Sequence, residues 1–290
     1  MWKRCSGLFR SGGMVTVMRY KLICVDLDGT LLADDKRIKK QDIEALQKAA
    51  AYGIKIALIT GRMPAATEFA VRQLGIECIM ACNAGTYILE KEQCIYAKYL
   101  SPETMREIYE SIKPFGTPLW IFRNKQWFVT EKDEFVRNEE KLIQYVPEPV
   151  SIDELALKWE RERTGPNKVL VGAESGLIQK IYPILKQRRD ADSACSSPNY
   201  LEIFPKGMNK GNALRIICEK NGFRREEVIA FGDEELDLPM LEAAGTGVAM
   251  GNAIEELKRK ADFVTKTNNE AGIAYALNKY LNIETGNKII

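Results

Sequence analysis

Three short apolar runs near the start of the chain, Tyr20–Val25, Ile54–Ile59 and Ile76–Ala81, alternate with two segments of helical periodicity. In Asp42–Tyr52, Ile43, Leu46 and Ala50 recur at helical spacing, and Gly53 supplies a good C-cap. The second segment opens at Pro64, which suits a first helical turn, and runs through Ala65–Leu74 to Gly75. Repeated βα units imply a parallel sheet with helices on both faces. The expected fold class is α/β, with a doubly wound, Rossmann-like parallel-sheet core.

The style changes after Gly85. Tyr87–Leu89 and Cys94–Tyr99 read as a hairpin, Pro102–Ile112 as a helix, and Leu119–Phe122 with Trp127–Thr130 as paired strands. A charged stretch (Glu131–Lys141) and a Pro-broken linker follow. Lys168–Gly172 then reads as a strand, Leu177–Lys186 as a helix and Tyr200–Phe204 as a strand. Residues 86–204 are expected to form a large inserted α+β domain. The βα rhythm returns at Lys206, with a helix over Lys210–Asn221 and a strand over Val228–Phe231. Residues 19–85 and 205–290 should therefore make one core. Residues 1–18 hold Lys3, Arg4 and Arg10 with no acid and no adequate apolar stretch behind them, so a disordered leader is expected, not a targeting signal.

Composition narrows the chemistry. A net charge of +2 over 290 residues gives no reason to expect nucleic acid or an anionic membrane. No apolar run reaches the roughly 18–20 residues of a membrane span. Seven cysteines, with no C-x-x-C pair, fit a reducing cytoplasm better than a disulfide framework. The chain has no histidine, which excludes His-based triads and His-ligated zinc.

Asp26-Leu27-Asp28-Gly29-Thr30-Leu31-Leu32 follows the first apolar run. Open α/β sheets bind ligands beyond the carboxyl ends of their strands. Two anions there repel unless a cation or strong donors compensate. Later strands end in Thr60-Gly61-Arg62, in Asn83, and in Gly232-Asp233 with Asp237 four residues on, while Lys210 opens a helix. In a parallel sheet these ends share one edge. The set matches what phosphoryl transfer requires. Asp26 would attack phosphorus, and Asp28 would protonate the leaving alkoxide and then activate water. Mg²⁺ would bridge Asp26, Asp233 and a phosphate oxygen. Thr60 and Lys210 would bind the phosphoryl group, with Gly61, Arg62 and Asn83 as further substrate-binding candidates.

The order Asp-x-Asp-Gly-Thr-Leu-Leu, Thr-Gly-Arg, Lys-Gly and Gly-Asp-x-x-x-Asp resembles the haloacid dehalogenase superfamily of phosphatases, and the insertion resembles the α/β cap of its Cof-type, IIB branch. Leu201-Glu202-Ile203 and Val248-Ala249-Met250-Gly251-Asn252-Ala253 agree. The resemblance implies Asp26 as nucleophile, Asp28 as acid/base, Thr60 and Lys210 on the phosphate, and Asp233 and Asp237 at the Mg²⁺ site. It also implies a metal contact from the Asp28 backbone carbonyl. Three positions depart from the pattern: Leu236 replaces an Asn, Asn83-Ala84-Gly85 replaces Asn-Gly-Ala, and Ala271 stands where an Asp is common. Leu236 is expected to pack against the core. The expected activity is hydrolysis of small phosphorylated metabolites, such as sugar phosphates, phosphorylated cofactors or nucleotides, through an aspartyl-phosphate, by a monomer or homodimer. A phosphomutase and a regulatory metal-binding module without turnover remain the alternatives.

Overall fold

The computed structural model describes residues 19–281, so the expected leader lies outside the described residues. The chain builds two sheets. The first holds β1 (Leu22–Val25), β2 (Lys55–Ile59), β3 (Cys78–Cys82), β4 (Tyr87–Glu90) and β5 (Gln93–Ala97), together with three later strands. Helices α1 (Lys40–Ala51) and α2 (Glu68–Leu74) connect β1 to β2 and β2 to β3. β1, β2 and β3 are four or five residues long and almost wholly buried, so both faces need helical cover.

The chain next forms α3 (Pro102–Ile112), β6 (Trp120–Arg123), β7 (Gln126–Val129), α4 (Glu134–Ile143), β8 (Glu148–Pro149) and α5 (Ile152–Glu162). β9 (Lys168–Gly172), α6 (Ser175–Lys186), β10 (Ala191–Ser197) and β11 (Tyr200–Pro205) follow. Their strands make the second sheet, ordered β10-β11-β9-β6-β7-β8 and antiparallel except for the β7–β8 pair. The chain then returns to the first sheet through α7 (Lys210–Asn221), β12 (Val228–Gly232), α8 (Leu238–Ala243), β13 (Thr246–Ala249), α9 (Glu255–Lys260), β14 (Phe263–Val264) and α10 (Gly272–Leu281). The first sheet runs β14-β13-β12-β1-β2-β3-β4-β5, parallel from β14 to β3.

One expected boundary is corrected. The hairpin β4–β5 does not open the inserted unit. β4 pairs antiparallel with β3, through Met80–Leu89, Ala81–Ile88 and Cys82–Tyr87, and so extends the first sheet. Tyr87, Ile88 and Leu89 are buried there. The second sheet therefore begins with residues beyond β5, not at 86. The charged stretch expected after Thr130 contains a helix, α4, capped by the Asp133 carboxylate, which accepts the Val136 N–H at 2.8 Å. The supposed linker contains another, α5. Among the described residues, no helix is long and apolar enough to cross a membrane.

Candidate active site

β1 lies between β2 and β12, so its last turn meets residues from both halves of the chain. The Asp26 N–H donates to the Phe231 carbonyl at 3.1 Å, which keeps Asp26 in register with the end of β12. The chain then folds back, with Leu31 N–H on the Asp26 carbonyl at 3.2 Å and Leu32 N–H on the Leu27 carbonyl at 2.8 Å. Gly29 makes this turn at φ +78°, and a Cβ there would lie 2.1 Å from Asp233 Oδ2. Glycine thus serves both the left-handed backbone and the close approach of a carboxylate. Thr30, fully buried, donates its hydroxyl to Asp233 Oδ1 at 2.6 Å.

Asp237 closes a single 3-10 turn after β12, and its Oδ2 accepts the N–H groups of Asp233 and Glu234 at 2.9 and 3.0 Å. Lys210 is the first residue of α7, behind an Asn209 cap that accepts the Asn212 N–H at 2.8 Å. Its ammonium stands 2.6 Å from Asp26 Oδ1 and 2.5 Å from Asp237 Oδ1. One carboxylate oxygen from each of Asp26, Asp233 and Asp237 lies within 4.8 Å of the others, and all three residues are buried.

This cluster is under-compensated. Three carboxylates face one ammonium. Burial, reinforced by Asp237 and Asp233, raises the Asp26 carboxyl well above the ordinary range, against the opposing pull of Lys210. Burial likewise pushes Asp233 up to about 7, though the Thr30 hydroxyl works the other way. Burial opposes the Lys210 charge, but Asp237 and Asp26 outweigh it and hold the ammonium protonated. Crowded anionic oxygens without nitrogen or sulfur donors are the donor set of a hard divalent cation.

Asp28 is placed differently. Its carboxylate joins no part of the three-acid cluster. Arg62 grips it from two sides, Nε to Oδ2 at 2.6 Å and a terminal N–H to Oδ1 at 2.7 Å, and Lys36 adds a contact at 3.1 Å. Burial pushes the Asp28 carboxyl up, but these donors together hold it below the usual carboxylate range. Thr60, buried at the end of β2, accepts the Arg62 N–H at 3.1 Å. Asn83 does not line the cavity. Its amide reaches the Asn124 carbonyl at 3.5 Å, and its Oδ1 has no partner among the described residues. Ala84 lines the cavity instead. Leu236 corrects an expectation, since it is half-buried in the cavity wall and not packed into the core.

The cavity, of about 430 Å³, lies between this sheet edge and the inserted unit. Its floor carries Asp26, Asp28, Thr60, Lys210 and Asp237. Its roof carries Trp120, Phe122, Lys168, Tyr200 and Glu202 from the second sheet and Glu139 from α4. Sequence reading left these roof residues unassigned. Lys168 and Glu202 carried one signal, a charged side chain within an otherwise apolar strand. Glu139 lay among many charges and carried none.

The chain matches the family model of haloacid dehalogenase-like hydrolases over residues 23–277. It is 28% identical over 264 residues to the 5-amino-6-(5-phospho-D-ribitylamino)uracil phosphatase YcsE of Bacillus subtilis, covering 90% of this chain and 96% of that one. Among solved structures, a haloacid dehalogenase-like hydrolase from Bacteroides thetaiotaomicron superimposes with a TM-score of 0.80 at 29% identity, over 90% of this chain and 99% of that one. The subclass IIB sugar phosphatase BT4131 superimposes with a TM-score of 0.76 at 27% identity, over 91% and 100%. A regulatory module without turnover is thereby set aside. Sheet order, inserted unit and family match agree, and the chain belongs to the haloacid dehalogenase-like hydrolases as a phosphatase of the Cof-type, IIB branch.

Proposed function

We propose that this protein is a Mg²⁺-dependent phosphomonoesterase for small phosphorylated metabolites. One observation carries the reading: Asp26, Asp233 and Asp237 converge with Lys210 beneath a cavity large enough for a metabolite. Asp26 attacks phosphorus, the bond to the leaving oxygen breaks, and the phosphoryl group stays on the Asp26 carboxylate. Once a phosphate has drawn Arg62 away, Asp28 takes up a proton from solvent, passes it to the departing alkoxide and afterwards takes one from the water that hydrolyses the acyl phosphate. A phosphate dianion competes with Asp28 for Arg62, so substrate binding loosens the grip that keeps Asp28 ionised. Lys210 and the Thr60 hydroxyl hold the phosphoryl oxygens. Mg²⁺ would be held by Asp26, Asp233, Asp237 and the Asp28 carbonyl, and when bound it neutralises charge on those oxygens.

The roof narrows the leaving group. Trp120, Phe122 and Tyr200 offer ring faces, and Glu139 and Glu202 offer acceptors for hydroxyl or amine donors. That combination suits a sugar or a ring-bearing polyol, in keeping with the substrates named for the two relatives above. The six cysteines among the described residues are unpaired thiols, which suits a reducing cytoplasm. The test is phosphate release across a panel of sugar phosphates, phosphorylated cofactors and nucleotides, with Mg²⁺ and with chelator. Release that chelation stops and Mg²⁺ restores supports the reading. Release indifferent to chelation overturns the metal, and transfer of phosphate between positions of a hexose without release would make the enzyme a mutase.

A further inference from the structure

The cavity roof meets its floor through a lysine that is also half of a buried ion pair within the roof. Lys168, at the start of β9, and Glu202, in β11, lie 3.2 Å apart with side chains 4% and 7% exposed. The Lys168 ammonium also donates to the Gly61 carbonyl at 2.7 Å and stands 5.0 Å above the Phe122 ring centre. Gly61 separates Thr60 from Arg62 on the loop that follows β2. Lys168 therefore ties two strands of the roof to the loop that presents both phosphate-facing residues.

Gly61 shows how close the approach is. Its backbone is not left-handed, so conformation does not demand a glycine. A Cβ there would lie 3.2 Å from Glu202 Oε1. What crowds a side chain there is the roof, whose Glu202 carboxylate would have to give by a few tenths of an ångström. An apolar seam continues the contact, with Met63 and Ala66 from the floor in one buried cluster with Trp120, Phe122 and Leu170 from the roof.

A desolvated ion pair is close to neutral in net stability, because removing two charges from water offsets their attraction. The Lys168–Glu202 pair is therefore a poor lock for a closed cap. The Lys168–Gly61 hydrogen bond is different, because it forms only when roof and floor meet. We propose that Lys168 is a positioning residue: on cap closure its ammonium fastens the Gly61 carbonyl and fixes Thr60 and Arg62 for phosphoryl transfer, with Glu202 orienting the ammonium. This rests on the phosphatase reading above.

Two variants approach the contact from opposite sides. Lys168→Met keeps the aliphatic stem and removes the donor. Gly61→Ala leaves the cap chemistry intact and crowds the Glu202 carboxylate, which must give by a few tenths of an ångström. Lys168→Met should lower kcat about ten- to a hundredfold, the worth of one charge-assisted hydrogen bond, Gly61→Ala should lower it by less, and both should change KM little. The loss should be as large for phenyl phosphate as for the best metabolite, because the loop serves every substrate. Amide hydrogen exchange across residues 60–63 should accelerate in both variants with no substrate present. If phenyl phosphate turnover is untouched while metabolite turnover falls, Lys168 reads the leaving group and the proposal fails. If thermal stability drops while kcat and exchange at 60–63 stay at wild-type values, Lys168 only holds the cap together and the proposal fails. If the wild type hydrolyses no ester at all, the phosphatase reading falls, and the exchange measurement alone decides whether Lys168 fastens the loop.

Discussion

Asp42→Asn should change the pH dependence of stability far from the active site. Asp42 lies in α1 with no exposed surface. Its Oδ1 accepts the Ala274 N–H at 2.7 Å, in the first turn of α10, and its Oδ2 has no partner among the described residues. Burial pushes its pKa up to about 7, with the Ala274 hydrogen bond and Lys39 only partly opposing. The protonated acid is thus the form that the fold prefers. Below the unfolded value of 3.8 both states are protonated and nothing is lost. As pH rises from there to about 7 the unfolded chain ionises first, so stability drains away, and above 7 the loss is complete. At about 1.4 kcal/mol per unit, the gap between 3.8 and 7 sets a ceiling of about 4 kcal/mol. Asparagine cannot ionise but leaves its NH₂ without an acceptor, a fixed cost of about 1–3 kcal/mol. The variant should therefore gain about 3 kcal/mol on the wild type between pH 5 and pH 8. Urea unfolding followed by tryptophan fluorescence at several pH values measures that swing. A difference between the two proteins that stays flat from pH 5 to 8 would refute the reasoning, whatever its sign.

Asp26→Asn should abolish phosphate release while the far-ultraviolet circular dichroism stays native, because an amide is a poor nucleophile and a poor metal ligand. Lys210→Ala should cost roughly two to three orders of magnitude in kcat, and a loss under about tenfold in steady-state assays would make it a bystander. Gly29→Ala should abolish activity and lower Tm, since the added methyl meets Asp233 at 2.1 Å in a left-handed turn; near-native kinetics would show that the turn can re-form without glycine. Leu236→Asn should raise kcat by less than about tenfold, one hydrogen bond at most. A wild type inert across the panel, and switched on by this change alone, would mark the native site as degenerate.

The acids at the sheet edge were legible because topology does the work. Once βα repetition implies a parallel sheet, Asp26, Thr60 and Asp233 must end on the same edge, however far apart they lie in the chain. The hairpin Tyr87–Ala97 was misassigned because antiparallel strands resemble the style of the insertion, and only the partner of β4 decides its sheet. α5 was missed although Ile152, Leu155, Ala156 and Trp159 are buried at helical spacing behind a Ser151 cap, because Pro147 and Pro149 suggested a linker. α4 is harder, since Val136 is its sole fully buried residue and half of its ten residues are charged. β10 is a half-exposed edge strand of small and polar residues, with almost no apolar pattern to read. The Arg62 grip on Asp28 and the Lys168–Glu202 pair depend on how two separate units meet, and no local pattern encodes that.

The position of β1 also sets the order in which this protein can come into being. Its partners β2 and β12 flank it directly, yet Thr30 reaches Asp233 across 203 residues and Lys210 reaches Asp26 across 184. On the ribosome, β1 is made early and must wait with one edge open until the chain has been extended through β12. The intervening residues shorten that wait in effect. The Lys98 ammonium donates to the Lys206 carbonyl at 2.8 Å, so entry and exit of the insertion lie side by side. An insertion that folds first presents the core with a short tether in place of a long loop, and closing a tether costs less chain entropy. A nascent or truncated chain that stops before Val228 therefore lacks two members of its acid cluster and leaves the apolar β1 edge uncovered, so loss of about the last fifth of this protein should expose it to aggregation and not merely silence it.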